Sequence, residues 1–102
     1  MTQDQFGNLW LRIGSDPAIL WSSHTDTCHR SPDLQDIVCT GGIVRVADPK
    51  QSNCLGADDG AGIWLMTQMI GAQIQGLYVF HRGEERGGLG SAHFAENNAN
   101  FC

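Results

Sequence analysis

Positive charge is scarce in this chain. Its 102 residues carry six Lys and Arg against eleven Asp and Glu, a formal net charge of -5. That balance argues against nucleic acid as a partner, because phosphate binding needs a basic face. Long apolar runs are also missing. None approaches the roughly 20 residues that span a bilayer, so no membrane partner is expected. The first residues, Met1-Thr-Gln-Asp-Gln-Phe6, lack the basic stretch and apolar segment of a secretion signal. The four cysteines (Cys28, Cys39, Cys54 and Cys102) show no Cys-x-x-Cys spacing. Without a secretion signal they are expected as reduced thiols in a cytoplasmic setting. Repeats, coiled-coil heptads and low-complexity tracts are absent too. What is present is a globular composition, 41% hydrophobic and 17% charged, with none of the signature of disorder. The length allows one domain, 1–102, with a modest core.

In chain order, Gly7-Asn-Leu-Trp-Leu-Arg-Ile-Gly14 reads as a strand with Leu9, Leu11 and Ile13 on one face. Ser15-Asp-Pro17 turns the chain. Ala18-Ile-Leu-Trp21 is a short continuous apolar run, the pattern of a strand covered on both faces. It delivers His24 and Asp26 beyond its C-terminal end, the edge where ligands collect in open α/β sheets. After a polar loop from His29 to Gln35, Ile37–Thr40 and Ile43–Ala47 flank Gly41-Gly42, a hairpin signal. A second loop runs from Asp48 to Asn53. A helix is then expected from about Gly60 to Gly71, apolar almost all round and so buried on more than one side. Asp58 or Asp59 can cap its N-terminus. Leu77-Tyr-Val-Phe-His81 is a further strand. A last helix is expected from Ser91, as its cap, to Glu96. This order implies an α/β domain with a mixed sheet and flanking helices.

Five of the eleven acids fall in three clusters: Asp26 near His24, the pair Asp58-Asp59, and the pair Glu84-Glu85. Carboxylates crowded together repel, and a cation is the usual relief. His24-Thr-Asp26 offers an imidazole for a metal and a carboxylate that can fix its tautomer. Capping explains one carboxylate of Asp58-Asp59 but not two. In Glu84-Glu85, one residue can ligate metal while the other takes a proton from a metal-bound water. Each cluster also has a plainer reading, respectively a polar turn, a helix cap and a solvated acidic loop beside Arg82 or Arg86. Cys28 and Cys54 lie near the motifs and are further candidate ligands. His29 and His81 read as a loop and a strand residue.

His24-Thr-Asp26-Thr27, Gly56-Ala-Asp58-Asp59-Gly-Ala-Gly62 and Gly83-Glu84-Glu85-Arg-Gly-Gly-Leu-Gly-Ser91 together resemble the motifs of co-catalytic zinc exopeptidases and deacylases. The histidine-first cluster resembles the peptidase T-like M20 group, and Gly-Leu-Gly-Ser after the Glu pair suits the M28 aminopeptidases equally. The resemblance runs from about Gly7 to Ser91 and implies a zinc-exopeptidase-like (phosphorylase/hydrolase-like) three-layer core. It implies two Zn²⁺ per complete site and hydrolysis of amide bonds in small peptides or acylated amino acids by a zinc-activated water. His24 would then bind one zinc, with Asp26 as its orienter. Asp58 would bridge both metals, with a strained peptide to Asp59 that the family pattern allows to be cis. Glu84 would be the general base and Glu85 a ligand of the second zinc.

The family pattern also has an acidic ligand some tens of residues after the Glu pair, and a last histidine near the C-terminus. This chain stops at Cys102, before either, so the core is expected to be incomplete. His93 and Glu96 are the only late candidates, and they lie too close to Glu85 to match. Two rival expectations follow: a non-catalytic metal-binding or assembly module, and a structural domain whose acids are caps and surface charges. Missing closing elements imply an exposed sheet edge and self-association into a homo-oligomer.

Overall fold

The computed structural model describes residues 1–15, 18–29, 35–50 and 54–98. The expected turn at Asp16-Pro17, the middle of the 29–35 loop, the end of the 48–53 loop and Cys102 lie outside the described residues. Among the described residues, six strands and two helices follow one another: β1 (Thr2–Gln3), β2 (Leu9–Ile13), β3 (Leu20–His24), β4 (Ile37–Thr40), β5 (Ile43–Val46), α1 (Ala57–Gly71), β6 (Gly76–His81) and α2 (Leu89–Asn97). A single 3₁₀ turn, Glu84–Arg86, stands between β6 and α2.

The main sheet is mixed, in the order β1-β2-β6-β3. β2 runs antiparallel to β6, and β3 runs parallel to it with His24 beside His81. β6 is buried along its whole length, as expected of an interior strand without polar alternation. Its side chains divide between two cores. Tyr78 and Phe80 pack with Met66 of α1 and with Leu9, Leu11 and Ile13. Leu77 and Val79 pack with Phe94 of α2 and with Trp10. The period-2 alternation of β2 thus sends its aliphatic residues to one helix and its tryptophan to the other. The result is a small mixed α/β domain with one helix on each face of the sheet.

Three expectations need correction. The strand predicted over Ala18–Trp21 is Leu20–His24, and it is not covered on both faces: Ile19 is 52% and Leu20 42% exposed. It lies at the sheet edge, and the core around Phe94 of α2 is built on Leu77 and Val79 of β6 and Trp10 of β2. Helix α1 is buried on one side alone. Met66 faces the sheet with Ile63, Met69 and Ile70 around it, whereas Trp64 and Leu65 are 61% and 56% exposed. Helix α2 begins before Ser91, with Gly88 at its N-cap. The Ser91 hydroxyl donates to the Gly88 carbonyl at 3.0 Å and caps no N–H.

The hairpin forms as predicted. Thr40 pairs with Ile43, and both intervening glycines have positive φ, the requirement of a tight two-residue turn.

A feature with no expectation behind it ties the two ends of the domain together. Asn8 is fully buried. Its amide donates to the Asp4 carboxylate at 2.9 Å and to the Gly90 carbonyl at 2.8 Å, while its Oδ1 accepts the Arg82 N–H at 2.9 Å. Gly90 must be glycine for this approach, since a Cβ there would stand 2.5 Å from Asn8 Oδ1. The lock holds the start of α2 against the end of β6, and so fixes where the Glu84–Arg86 turn emerges.

Candidate metal centre

Because β3 and β6 are parallel, their C-terminal ends open on the same sheet edge, and the start of α1 lies there too. The chain after β3 is tied to the end of β6 at once. Thr25 donates its backbone N–H and its hydroxyl to the His81 carbonyl, at 2.8 and 3.1 Å. At the other side, the first residues of α1 are irregular. Asp58 and Asp59 have non-helical backbone angles, and the peptide between them is cis.

The two aspartates divide their work. Asp59 turns inward, accepting the Gly62 N–H at 3.1 Å as a helix cap does and the His24 N–H at 3.2 Å. Asp58 turns outward, its side chain 81% exposed, with Oδ1 2.9 Å from His24 Nε2. The expected capping falls to Asp59, and Asp58 is left for other use.

Asp26 divides differently. Its backbone carbonyl, not its carboxylate, lies at hydrogen-bond distance from His24 Nδ1, at 2.9 Å; the nearer carboxylate oxygen is 3.5 Å away. The carboxylate instead accepts the N–H of Glu84 at 3.0 Å and of Glu85 at 2.9 Å. Asp26 therefore positions the glutamate turn as well as the imidazole. Gly83, with φ 79 at the head of that turn, adopts the left-handed conformation that lets the chain double back onto Asp26.

The outcome is convergence. One ligand atom from each of His24, Asp58 and Glu85 lies within 4.8 Å of the others, the only such group of three among the described residues. Glu84 Oε2 stands 3.5 Å from His24 Nε2. Cys28 Sγ donates to Glu85 Oε2 at 3.2 Å, and Cys28 and Cys54 share a hollow of about 340 Å³ with Asp58 and Glu85. His93 and Glu96 do not join. His93 faces Asp4 at 3.5 Å and its ring lies against Phe6, and Glu96 is exposed on α2. His29 is exposed in its loop and His81 is buried in β6.

Electrostatics follow this geometry. Burial alone would lower the His24 pKa, but the Asp26 carbonyl and the Asp58 and Glu84 carboxylates outweigh it and hold the pKa above the ordinary value. Burial would likewise raise that of Asp26, but the Glu85 and Glu84 N–H groups and His24 keep it below the usual carboxylate range. The hydrogen bond to Glu85, then burial and the surrounding acids, push the Cys28 thiol up. His81 is pushed down, by burial first and then by His24.

The donor set suits a cation. A carbonyl oxygen only accepts, so Nδ1 of His24 must carry the hydrogen between them. Nε2 then faces a carboxylate, which also only accepts. Either a proton or a cation has to stand between Nε2 and Asp58. One imidazole and two carboxylates, with the second ring nitrogen held by a carbonyl, are a chemically fit set for Zn²⁺. Asp58 and Glu85 are both exposed, and the bonds they make, to His24 and from Cys28, are with groups at the same site.

No helix among the described residues is long and apolar enough to cross a membrane. Comparisons with protein-family models, with curated proteins and with solved structures each found no match.

Proposed function

We propose that this chain is the metal-binding core of a zinc-dependent metallopeptidase-like hydrolase that cleaves amide bonds in small peptides or acylated amino acids. The observation that carries the reading is the approach of His24, Asp58 and Glu85, distant in sequence, to within 4.8 Å of one another. The resemblance of the three motifs to co-catalytic zinc exopeptidases supports it, as does a mixed sheet with a helix on each face. The fold we propose is the corresponding three-layer core, with two Zn²⁺ in the complete site.

Bound Zn²⁺ supplies Lewis acidity and a water whose pKa lies near 7. His24 Nε2, Asp58 and Glu85 are the groups that would hold it. Glu84, beside His24, accepts a proton at its carboxylate and hands it to the leaving amine. Asp26 holds the Glu84 and Glu85 backbone, so the base and the ligand keep a fixed relation. The alternative is a catalytically incomplete metal-binding or assembly module. One observation favours it: the described residues gather one group of three donors, not two.

Isothermal titration with Zn²⁺ tests the metal. Wild type should bind, and Asp58→Ala should bind at least tenfold more weakly, in line with the loss seen on disturbing metal surroundings. Equal binding in both would remove the assignment. Hydrolysis of a dipeptide panel then separates enzyme from module. Glu84→Gln should lower the rate by about a hundredfold or more, and a rate untouched by that substitution would assign the activity to a contaminant.

A further inference from the structure

Two of the four cysteines lie just outside the acidic motifs, Cys28 two residues after Asp26 and Cys54 four residues before Asp58. The fold brings both to one place. The chain leading to Cys28 is tied to the end of β6 through Thr25, and Asp26 holds the N–H groups of Glu84 and Glu85. Those bonds set Cys28 against the glutamate turn. Opposite, just before α1 begins, the Cys54 N–H donates to Gln35 Oε1 at 3.3 Å. The hollow of about 340 Å³ that both cysteines line is bordered by Asp58 and Glu85 as well. Both are free thiols. Neither belongs to the motifs shared with the zinc exopeptidases, so the resemblance gives them no role.

Cys28 Sγ stands 3.2 Å from Glu85 Oε2. A sulfur at about 2.3 Å and an oxygen at about 2.1 Å from one tetrahedral zinc are separated by about 3.6 Å. A cation can therefore enter between the two with a shift of only a few tenths of an ångström. The sulfur is not one of the three donors gathered at His24; it extends that group beyond Glu85. Asp58 turns Oδ1 to His24 Nε2 at 2.9 Å and still borders the hollow of the thiols. The two carboxylates thus stand between an imidazole and a pair of cysteines.

Ligand type decides which ion such a place takes. Thiolates are soft and select zinc-like ions, whereas carboxylates alone suit Mg²⁺, Ca²⁺ and Mn²⁺. We infer that Cys28 and Cys54 are metal ligands, holding with Glu85 a thiophilic divalent cation beside the one at His24. On binding, each Sγ–H bond gives way to a sulfur–metal bond and its proton passes to solvent. The inference rests on the metal-centre reading for the part Glu85 plays. It adds that two cysteines, rather than the acids, determine which metals the centre accepts.

Titration of the reduced chain with Co²⁺, a coloured stand-in for Zn²⁺, tests it. A thiolate bound to Co²⁺ gives charge-transfer absorption in the near ultraviolet, which carboxylates and imidazole do not. Wild type should show this band, and the Cys28→Ser, Cys54→Ser double variant should lose it. Cys39→Ser, on the β4–β5 hairpin, should keep it in full. Cys28 and Cys39 are exposed and Cys54 is half-buried, so the fold should tolerate serine at each. Competition between Cd²⁺ and Mn²⁺ gives a second readout: the preference of wild type for Cd²⁺ should fall about tenfold or more in the double variant. Co²⁺ bound without the band, a band that survives the double variant, or an unchanged preference would overturn the inference. The two readings fail separately. Zn²⁺ bound by wild type and weakened by Asp58→Ala, with no charge-transfer band from Co²⁺, sinks the cysteine ligands alone. Zn²⁺ that the double serine variant loses and Asp58→Ala binds as wild type does sinks the centre at His24 alone.

Discussion

His24 and His81 sit side by side on adjacent strands, yet their surroundings pull them in opposite directions. His24 is held above its ordinary pKa by a carbonyl and carboxylates. Its contribution to stability is therefore full below about pH 6.5 and is lost as pH rises through the raised value. His81 is depressed by burial. Its contribution is full above about pH 6.5 and is lost as pH falls towards the depressed value. His81 Nδ1 is buried with no hydrogen-bond partner among the described residues, so replacing it removes the acid-side loss. His81→Leu should be at least as stable at pH 5.5 as at pH 7.5 by urea denaturation. A variant that still weakens on acidification would contradict the assignment. At Asp26, substitution by Asn keeps the shape and removes the charge that holds two N–H groups. Zn²⁺ affinity should fall by about 10- to 100-fold, read by titration.

The same residues show what a sequence carries at this scale. Histidine and carboxylates at strand ends announce a cation site through their chemistry alone. Which oxygen of Asp26 meets the ring, and which of Asp58 and Asp59 turns outward, depends on backbone angles that residue types do not reveal.

Among the elements, β6 is the most legible, because the unbroken run Leu77–Phe80 leaves no polar alternation to blur its pattern. β3 was misjudged by the same rule. A continuous apolar run says nothing of whether a neighbour exists on the far side, and Leu20 is left 42% exposed. The run of apolar residues in α1 hid a one-sided helix for a similar reason.

Two glycines of α1 give a paired test. A Cβ on Gly60 meets nothing within 4 Å, so Gly60→Ala should stabilise by up to about 1 kcal/mol through helix propensity. A Cβ on Gly62 would stand 2.7 Å from Asp59 Cγ, so Gly62→Ala should destabilise and unseat the residue that holds the His24 N–H. Thermal denaturation of the two variants should shift in opposite directions. The Asn8 lock is stronger still. Asn8→Ala leaves the Arg82 N–H without its buried side-chain acceptor and removes a donor from the Gly90 carbonyl, a loss of about 2 kcal/mol. For a domain of this size that lowers Tm by about 10 °C; an unchanged Tm would show that the lock contributes nothing.

The molecule as a whole is thin, with extents of 46 × 29 × 17 Å and a radius of gyration of 15.8 Å. A compact domain of about 100 residues has a radius near 13 Å. The excess goes with exposed apolar surface. Ile19 and Leu20 lie at the β3 edge, Trp64 and Leu65 on α1, and Ile37, Ile43 and Val44 on the hairpin. An open edge of this kind pairs readily, so sedimentation velocity should show association that grows with concentration, and Leu20→Lys should reduce it. A wild-type chain that stays monomeric at high concentration would contradict this.

The order of strands and helices was enough to imply a mixed α/β domain. An exposed sheet edge is expected from the sequence, but that it is β3, and that one side of α1 is open, is not legible, since exposure is set by neighbours in space rather than by the residues themselves. The central claim remains the meeting of three distant side chains around a cation. Anomalous diffraction at the zinc edge, from crystals of the chain grown with Zn²⁺, tests it most directly. The account predicts a peak about 2.0–2.2 Å from His24 Nε2 and from carboxylate oxygens of Asp58 and Glu85; a crystal with no peak there, or with zinc held only elsewhere, would contradict it.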